Sequence, residues 1–116
     1  MYRLSWTISA VLLIQAASAR AASQLDLNFE AAAAAHHADK LLDDVYLKLL
    51  RKADAGYAHQ IQSARKRWDE NRQKVCALEA AAYDGGSIAP LIYWRCYEWL
   101  TWSRVAMVTI LLKTHR

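Results

Sequence analysis

The segment Asp84-Gly85-Gly86-Ser87, flanked at nearly equal distances by the two cysteines of the chain, constrains this sequence more than any other feature. Paired glycines end a helical pattern, because glycine adopts the left-handed conformation that closes a helix. Ser87 can cap the following helix, and Pro90 is tolerated in a first helical turn. The two segments on either side therefore fold back as an antiparallel helical pair. Cys76 lies eight residues before Asp84, and Cys96 nine residues after Ser87. At ~1.5 Å per residue both stand ~12–14 Å from the turn, at one height. A disulfide requires this proximity. The alternative of two free thiols is disfavoured by the even cysteine count and the matched height. Closing a loop of this length stabilises a fold by about 3 kcal/mol.

The rest of the chain is helical in character. Three Gly and one Pro are too few for an all-β fold with many turns, and abundant Ala and Leu favour helix. Gln24 to Ala35 is a weakly patterned, alanine-rich lead-in. Leu41, Leu42, Val45, Leu49 and Leu50 then recur at helical spacing. Gly56 either ends this first helix or lies inside one long helix. Tyr57, Ile61, Ala64, Trp68, Val75 and Leu78 mark the second stripe, with Arg65-Lys66-Arg67 read as a solvated face. The third runs from Ile88 to about Lys113, with Ile92, Cys96, Leu100, Met107 and Leu111 on one side. Val105 to Leu112 is apolar, but only eight residues separate Arg104 from Lys113, too few to span a bilayer. It reads as a buried helix end. The expected architecture is all-α: a small antiparallel bundle of about three helices, the last two joined by a disulfide.

Residues 1–22 read as a secretory leader. Arg3 gives a short positive start, Leu4 to Ala17 is largely apolar, and Ala17-Ser18-Ala19 and Ala19-Arg20-Ala21 both fit a cleavage site. The alternative is an uncleaved anchor, for which the apolar run is short. No cysteine lies near the site, so no lipid anchor is expected. Export to the periplasm or the exterior puts both cysteines in an oxidising compartment. The remaining domain, 23–116, is small enough to benefit from a covalent staple. It carries 13 basic and 11 acidic residues, net +2, too balanced for a nucleic-acid footprint.

The hairpin arithmetic also places two arginines at the seam. Trp68, Arg72 and Cys76 share one stripe, and Cys96, Leu100 and Arg104 share the facing one. In antiparallel register Arg72 faces Leu100 and Arg104 faces Trp68. Each arginine can lay its stem on apolar surface and its head on a ring. A partly buried guanidinium also needs an acceptor, for which Asp39, Asp43, Asp69 and Glu98 are candidates. A structural role for both arginines is favoured over a ligand-binding one.

These residues resemble a known family. Ala38-Asp39-x-x-Leu42-Asp43-x-x-Tyr46 resembles the first-helix motif of the LprI-like family, small exported domains of lysozyme-inhibitor type. Trp68-x-x-x-Arg72-x-x-x-Cys76, Gly85-Gly86-Ser87 and Cys96-x-x-x-Leu100-Thr101-x-x-Arg104 resemble its second motif, its turn and its third motif. The four occur in order from about Gln24 onward. The chain departs from the family pattern at Asp43, where Asn is frequent, and at Gln73, where an acid often stands. Glu30 stands where some members have a further cysteine. The resemblance implies a helical fold bridged between Cys76 and Cys96, with Asp39, Tyr46, Trp68, Arg72, Leu100, Thr101 and Arg104 as its motif residues.

No enzymatic constellation stands out. A bridged cysteine is not a nucleophile. The adjacent His36 and His37 point about 100° apart on a helix and do not chelate as an i, i+4 pair would. No metal, cofactor or phosphate loop is expected. The chain is therefore read as non-enzymatic, with a protein partner. The first reading is a blocker of a lysozyme-type hydrolase, whose cleft holds two carboxylates. Its contact element would be the protruding turn Asp84, Gly85, Gly86 and Ser87. An acidic exposed face would favour it, because many lysozymes are basic. The second reading is a structural or stress-related envelope module with another partner, favoured by an exposed aromatic patch from Tyr93, Trp94, Tyr97 and Trp102.

Overall fold

A computed structural model describes the backbone of residues 2–115. The side chains of residues 1–18, 21, 22 and 116 lie outside the described set, and the expected leader and its cleavage site fall there almost entirely. Three helices follow one another: α1 (Tyr2–Lys52), α2 (Ala55–Ala81) and α3 (Ala89–Thr114). Among the described residues there is no strand, and no helix is long and apolar enough to cross a membrane.

The break between α1 and α2 falls two residues before Gly56. Asp54 is the N-cap, and its carboxylate accepts the Tyr57 backbone N–H at 2.8 Å. Such a cap satisfies one of the donors that a helix start leaves free. Gly56 thus lies in the first turn of α2, and an aspartate rather than the glycine sets the boundary. Arg51 and Lys52 in the last turn of α1 complement its negative end.

The alanine-rich lead-in belongs to α1 and faces the core. Ala31, Ala35, Ala38, Leu42, Tyr46 and Leu49 are all buried, at the spacing of one helical stripe. α1 packs chiefly along α3, so the seam of α3 is Tyr97, Thr101 and Val108, flanked by Val105 and Leu112. This corrects the expected stripe. Met107 and Leu111 are exposed, because the burying surface is α1 as much as α2. Ile110 is exposed too, so Val105 to Leu112 is buried on one side only. On α2 the seam passes from Ile61 and Trp68 through Arg72 and Cys76, leaving Val75 and Leu78 outside, Leu78 at 77% exposure. Arg72 can hold a core position because aspartates neutralise it there.

Cys76 and Cys96 are joined, with Cα atoms 5.5 Å apart, as the matched heights require. Disulfides of this kind persist in oxidising compartments. In the turn, Gly85 has φ +80°, the left-handed region where a side chain is strained. The Gly86 N–H donates to Tyr83 O at 3.0 Å. Ser87 does not cap α3. Ile88 occupies that position with no side-chain cap bond, and Pro90 lies in the first turn.

Candidate functional site

The motif residues converge on one buried polar network at the middle of the bundle. Arg72, 4% exposed, donates from Nη1 to Asp39 Oδ1 and to Thr101 Oγ1, both at 2.9 Å. Its Nη2 donates to Asp69 Oδ1 at 3.2 Å. One side chain of α2 is thereby tied to α1, to α3 and to its own preceding turn. Its guanidinium carbon lies 3.8 Å from the centre of the Tyr97 ring and 4.6 Å from that of Trp68. Nε is buried without an acceptor. Tyr97 donates its hydroxyl to Asp39 Oδ2 at 3.2 Å, and Thr101 donates to Tyr97 O at 2.6 Å. Both oxygens of Asp39 are therefore engaged.

A second layer lies further from the turn. Arg104 Nε donates to the Tyr46 hydroxyl at 3.0 Å, and its head lies 5.5 Å from the Trp68 ring. Arg65 stacks 4.5 Å over the other aromatic of this layer, Tyr46, pairs with Asp43, and approaches Asp69 at 3.7 Å. Sequence reasoning missed this. The solvated-face reading does not hold for Arg65, which bridges α2 to α1; its spacing of three from Trp68 is the signal of that role. Of the four candidate acceptors for the two seam arginines, Arg72 uses Asp39 and Asp69, and Arg104 is held by the Tyr46 hydroxyl instead. Asp43 serves Arg65. Glu98 instead accepts from Trp102 Nε1 at 3.3 Å and lies 3.8 Å from Arg95. Leu100 is half-buried beside the disulfide and supplies packing rather than polar contact.

Burial shapes the titration of this network. It pushes the Asp69 carboxyl above the ordinary range, against the pull of Arg72 and Arg65. It pushes the Tyr97 hydroxyl up to about 12, with Asp39 adding in the same direction and Arg72 opposing. The arrangement holds helices together.

The turn lies at the opposite extreme of exposure. Residues 81–88, including Asp84, Gly85, Gly86 and Ser87, are all exposed. α1 runs beside them: Asn28 donates from Nδ2 to Ser87 O at 3.0 Å, and Gln24 donates to Asn28 Oδ1 at 2.9 Å. This end of the bundle is thus built from three segments, not from the turn alone. Its charge is one-sided. Residues 23–32 and 77–94 contain Asp26, Glu30, Glu79 and Asp84 and no Lys or Arg. All four carboxylates are exposed. The far end carries exposed Lys48, Arg51, Lys52 and Lys113 against Asp54. The net +2 of residues 23–116 therefore conceals a segregated charge. Apolar side chains accompany the acids: Phe29 is 67% exposed, and Leu25, Tyr83 and Ile88 are exposed as well. Leu25, Asn28, Phe29, Ala32, Pro90 and Trp94 line a groove of about 240 Å³ there.

The expected aromatic patch is not formed as four exposed rings. Tyr97 is buried; Tyr93 and Trp94 are half-buried and pack on one another, and Trp94 packs on His36. His37 lies 6.4 Å from Trp102, apart from that cluster. Among the described residues no group of three or more His, Cys, Asp or Glu is placed to hold a metal ion.

Fold and network together define a small disulfide-braced helical bundle whose signature residues brace its interior. Residues 15–107 match the family described as lysozyme inhibitor LprI. The chain belongs to that family; the three helical motifs that carry the resemblance meet around Arg72, Arg104 and the disulfide, and the turn motif lies exposed at the end of the bundle. Neither the curated proteins nor the solved structures contain a match to it.

Proposed function

We propose that this chain is exported, loses residues 1–22, and acts without catalysis as a binding protein that blocks a lysozyme-type hydrolase through its turn end. The observation that carries this reading is the segregation of Asp26, Glu30, Glu79 and Asp84 at that end beside exposed Phe29 and Tyr83. An acidic, partly apolar end is complementary to a basic enzyme and accelerates encounter with it. Family membership supports the class of partner.

The contact follows from the turn chemistry. A lysozyme-type cleft presents two carboxylates. Acids placed against them would be repelled, so Asp26, Glu30 and Glu79 belong on the rim. Gly85, Gly86 and Ser87 belong at the tip. There the backbone N–H groups of Gly85 and Ser87 and the Ser87 hydroxyl are donors, the Gly86 N–H being engaged by Tyr83 O, and the glycines permit close backbone approach.

The test is a titration of the purified, oxidised, exported chain against several lysozyme classes at low and moderate salt. Inhibition near equimolar ratio, weakened by salt and by Glu30→Lys or Asp84→Lys with unchanged melting, is the expected result. Inhibition of no class would favour the alternative, an envelope interaction module with another protein partner. Intact mass of the exported form reads the leader directly: retention of Met1 would contradict its removal.

A further inference from the structure

We infer that the outer face of α3 is a self-complementary surface on which a second copy of this chain packs in antiparallel orientation. The inference does not rest on the inhibitor reading. Helix α3 buries one side against α1 and closes the disulfide with α2 on another. Between the exposed cations Arg95 and Lys113, its remaining side is largely apolar. Trp99 (70% exposed), Ser103, Ala106 and Ile110 (60%) form a single exposed stripe at intervals of four, three and four residues. That is the spacing of a helix–helix seam. Exposed Trp102 and Met107 flank it.

The face is chemically ready to be covered. Ser103 donates its hydroxyl to Trp99 O at 3.0 Å, and Trp102 Nε1 donates to Glu98. Covering them strands neither donor, so desolvation costs little. From their exposures, Trp99, Trp102, Met107 and Ile110 present on the order of 500 Å² of side chain, a patch of the size that marks an interaction surface. Two copies would bury about 1,000 Å² in these side chains, the lower bound of a stable interface.

The pattern selects the occupant. Large, small, small, large reads the same in both directions, as an isologous contact requires. Laid antiparallel, Ser103 opposes Ala106 of the second copy and Trp99 opposes its Ile110. The small pair lets the helices approach, and the large pairs close the two ends. In that register Glu98 opposes residue 111 of the second copy, about 3 Å along the axis from Lys113. Lys113 of the second copy then stands level with residue 96, between Arg95 and Glu98 along the axis, so Glu98 offsets both cations, an arrangement repeated by the two-fold. Parallel packing would instead put the two acidic turn ends side by side.

Sedimentation velocity on the oxidised, exported chain across a wide concentration range tests this. The expected result is a species of twice the chain mass that dissociates on dilution. Ala106→Glu, a change at an exposed position of the monomer, should weaken association about 100-fold or more. Leu78→Glu, equally exposed but on the outside of α2, should leave it unchanged. Glu98→Lys should weaken it, and adding Lys113→Glu should restore it. A monomer at every concentration, or a dimer indifferent to Ala106→Glu with melting unchanged, would overturn the inference. So would binding of this face to lipid vesicles or to another protein while the chain stays monomeric.

Discussion

Replacing Arg72 by Ala should destabilise the bundle by about 3 kcal/mol, for reasons that can be separated. Removing one partner of a buried ion pair costs about 3–5 kcal/mol, because the other charge is left uncompensated. Here the stranded carboxylates are not fully buried: Asp39 and Asp69 keep 30% and 33% side-chain exposure. Water can reach them, which moves the cost to the lower part of that range. Loss of the stacking on Tyr97 and Trp68 adds about 0.5–2 kcal/mol, part of it recovered if the rings close inward. For a domain of this size about 3 kcal/mol corresponds to a fall in Tm of roughly 12–24 °C. Chemical denaturation of the oxidised chain reads the same quantity as a change in midpoint at constant slope. Arg72→Lys should lose part of it, since an ammonium keeps the charge but not the planar fork that reaches Asp39, Thr101 and Asp69 together. A double-mutant cycle with Asp39→Asn should show coupling above about 1 kcal/mol. Unchanged stability in Arg72→Ala, with loss of partner binding alone, would refute the structural assignment of this residue.

Replacing both cysteines by Ala should cost about 2–5 kcal/mol in the same denaturation assay, and peptide mapping without reductant should recover residues 76 and 96 in one linked pair. Gly85→Ala should cost about 1 kcal/mol, because φ +80° suits glycine although space around the site is open. Gly86→Ala should also destabilise, since its added carbon would meet Tyr83 O at 3.1 Å; thermal melting distinguishes both from a neutral surface change. The Tyr97 hydroxyl is held up to about 12, above the usual value of 10.0. The unfolded chain then releases this proton first, so its contribution is intact below pH 10 and falls as pH rises from 10 towards 12. Stability measured over that window should decline more steeply in the native chain than in Tyr97→Phe; equal slopes would contradict the assignment.

Much of the hairpin was legible because its determinants are local. A glycine pair, two cysteines at matched distance and two helical stripes suffice to place Arg104 over Trp68 and to join Cys76 to Cys96. The role of α1 was less legible. Alanines give little periodic contrast, so Ala31, Ala35 and Ala38 read as a lead-in although they are buried. Missing that face shifted the seam of α3 by one residue, from Met107 to Val108. The same omission hid the acidic end, because Asp26 and Glu30 join Glu79 and Asp84 only once Asn28 is level with Ser87. Whole-chain charge averages over such a separation. Arg65 was misplaced because a basic triplet invites a single assignment, whereas on a helix each of its members points in a different direction.

The position of the disulfide along the hairpin gives unfolding a direction. The bond closes a covalent ring of residues 76–96 that contains the whole turn, while everything beyond it, from Ala55 to Val75 and from Tyr97 to Thr114, is held by non-covalent contact alone. Thermal opening therefore starts at the far end, around the junction of α1 and α2, and runs towards the ring, where it stops. Amide exchange should follow that gradient, with the slowest protons in the helical turns beside the two cysteines. A molecule splayed at its basic end would still present Asp84 to Ser87 on a tethered loop, so the turn could outlast much of the bundle that displays it.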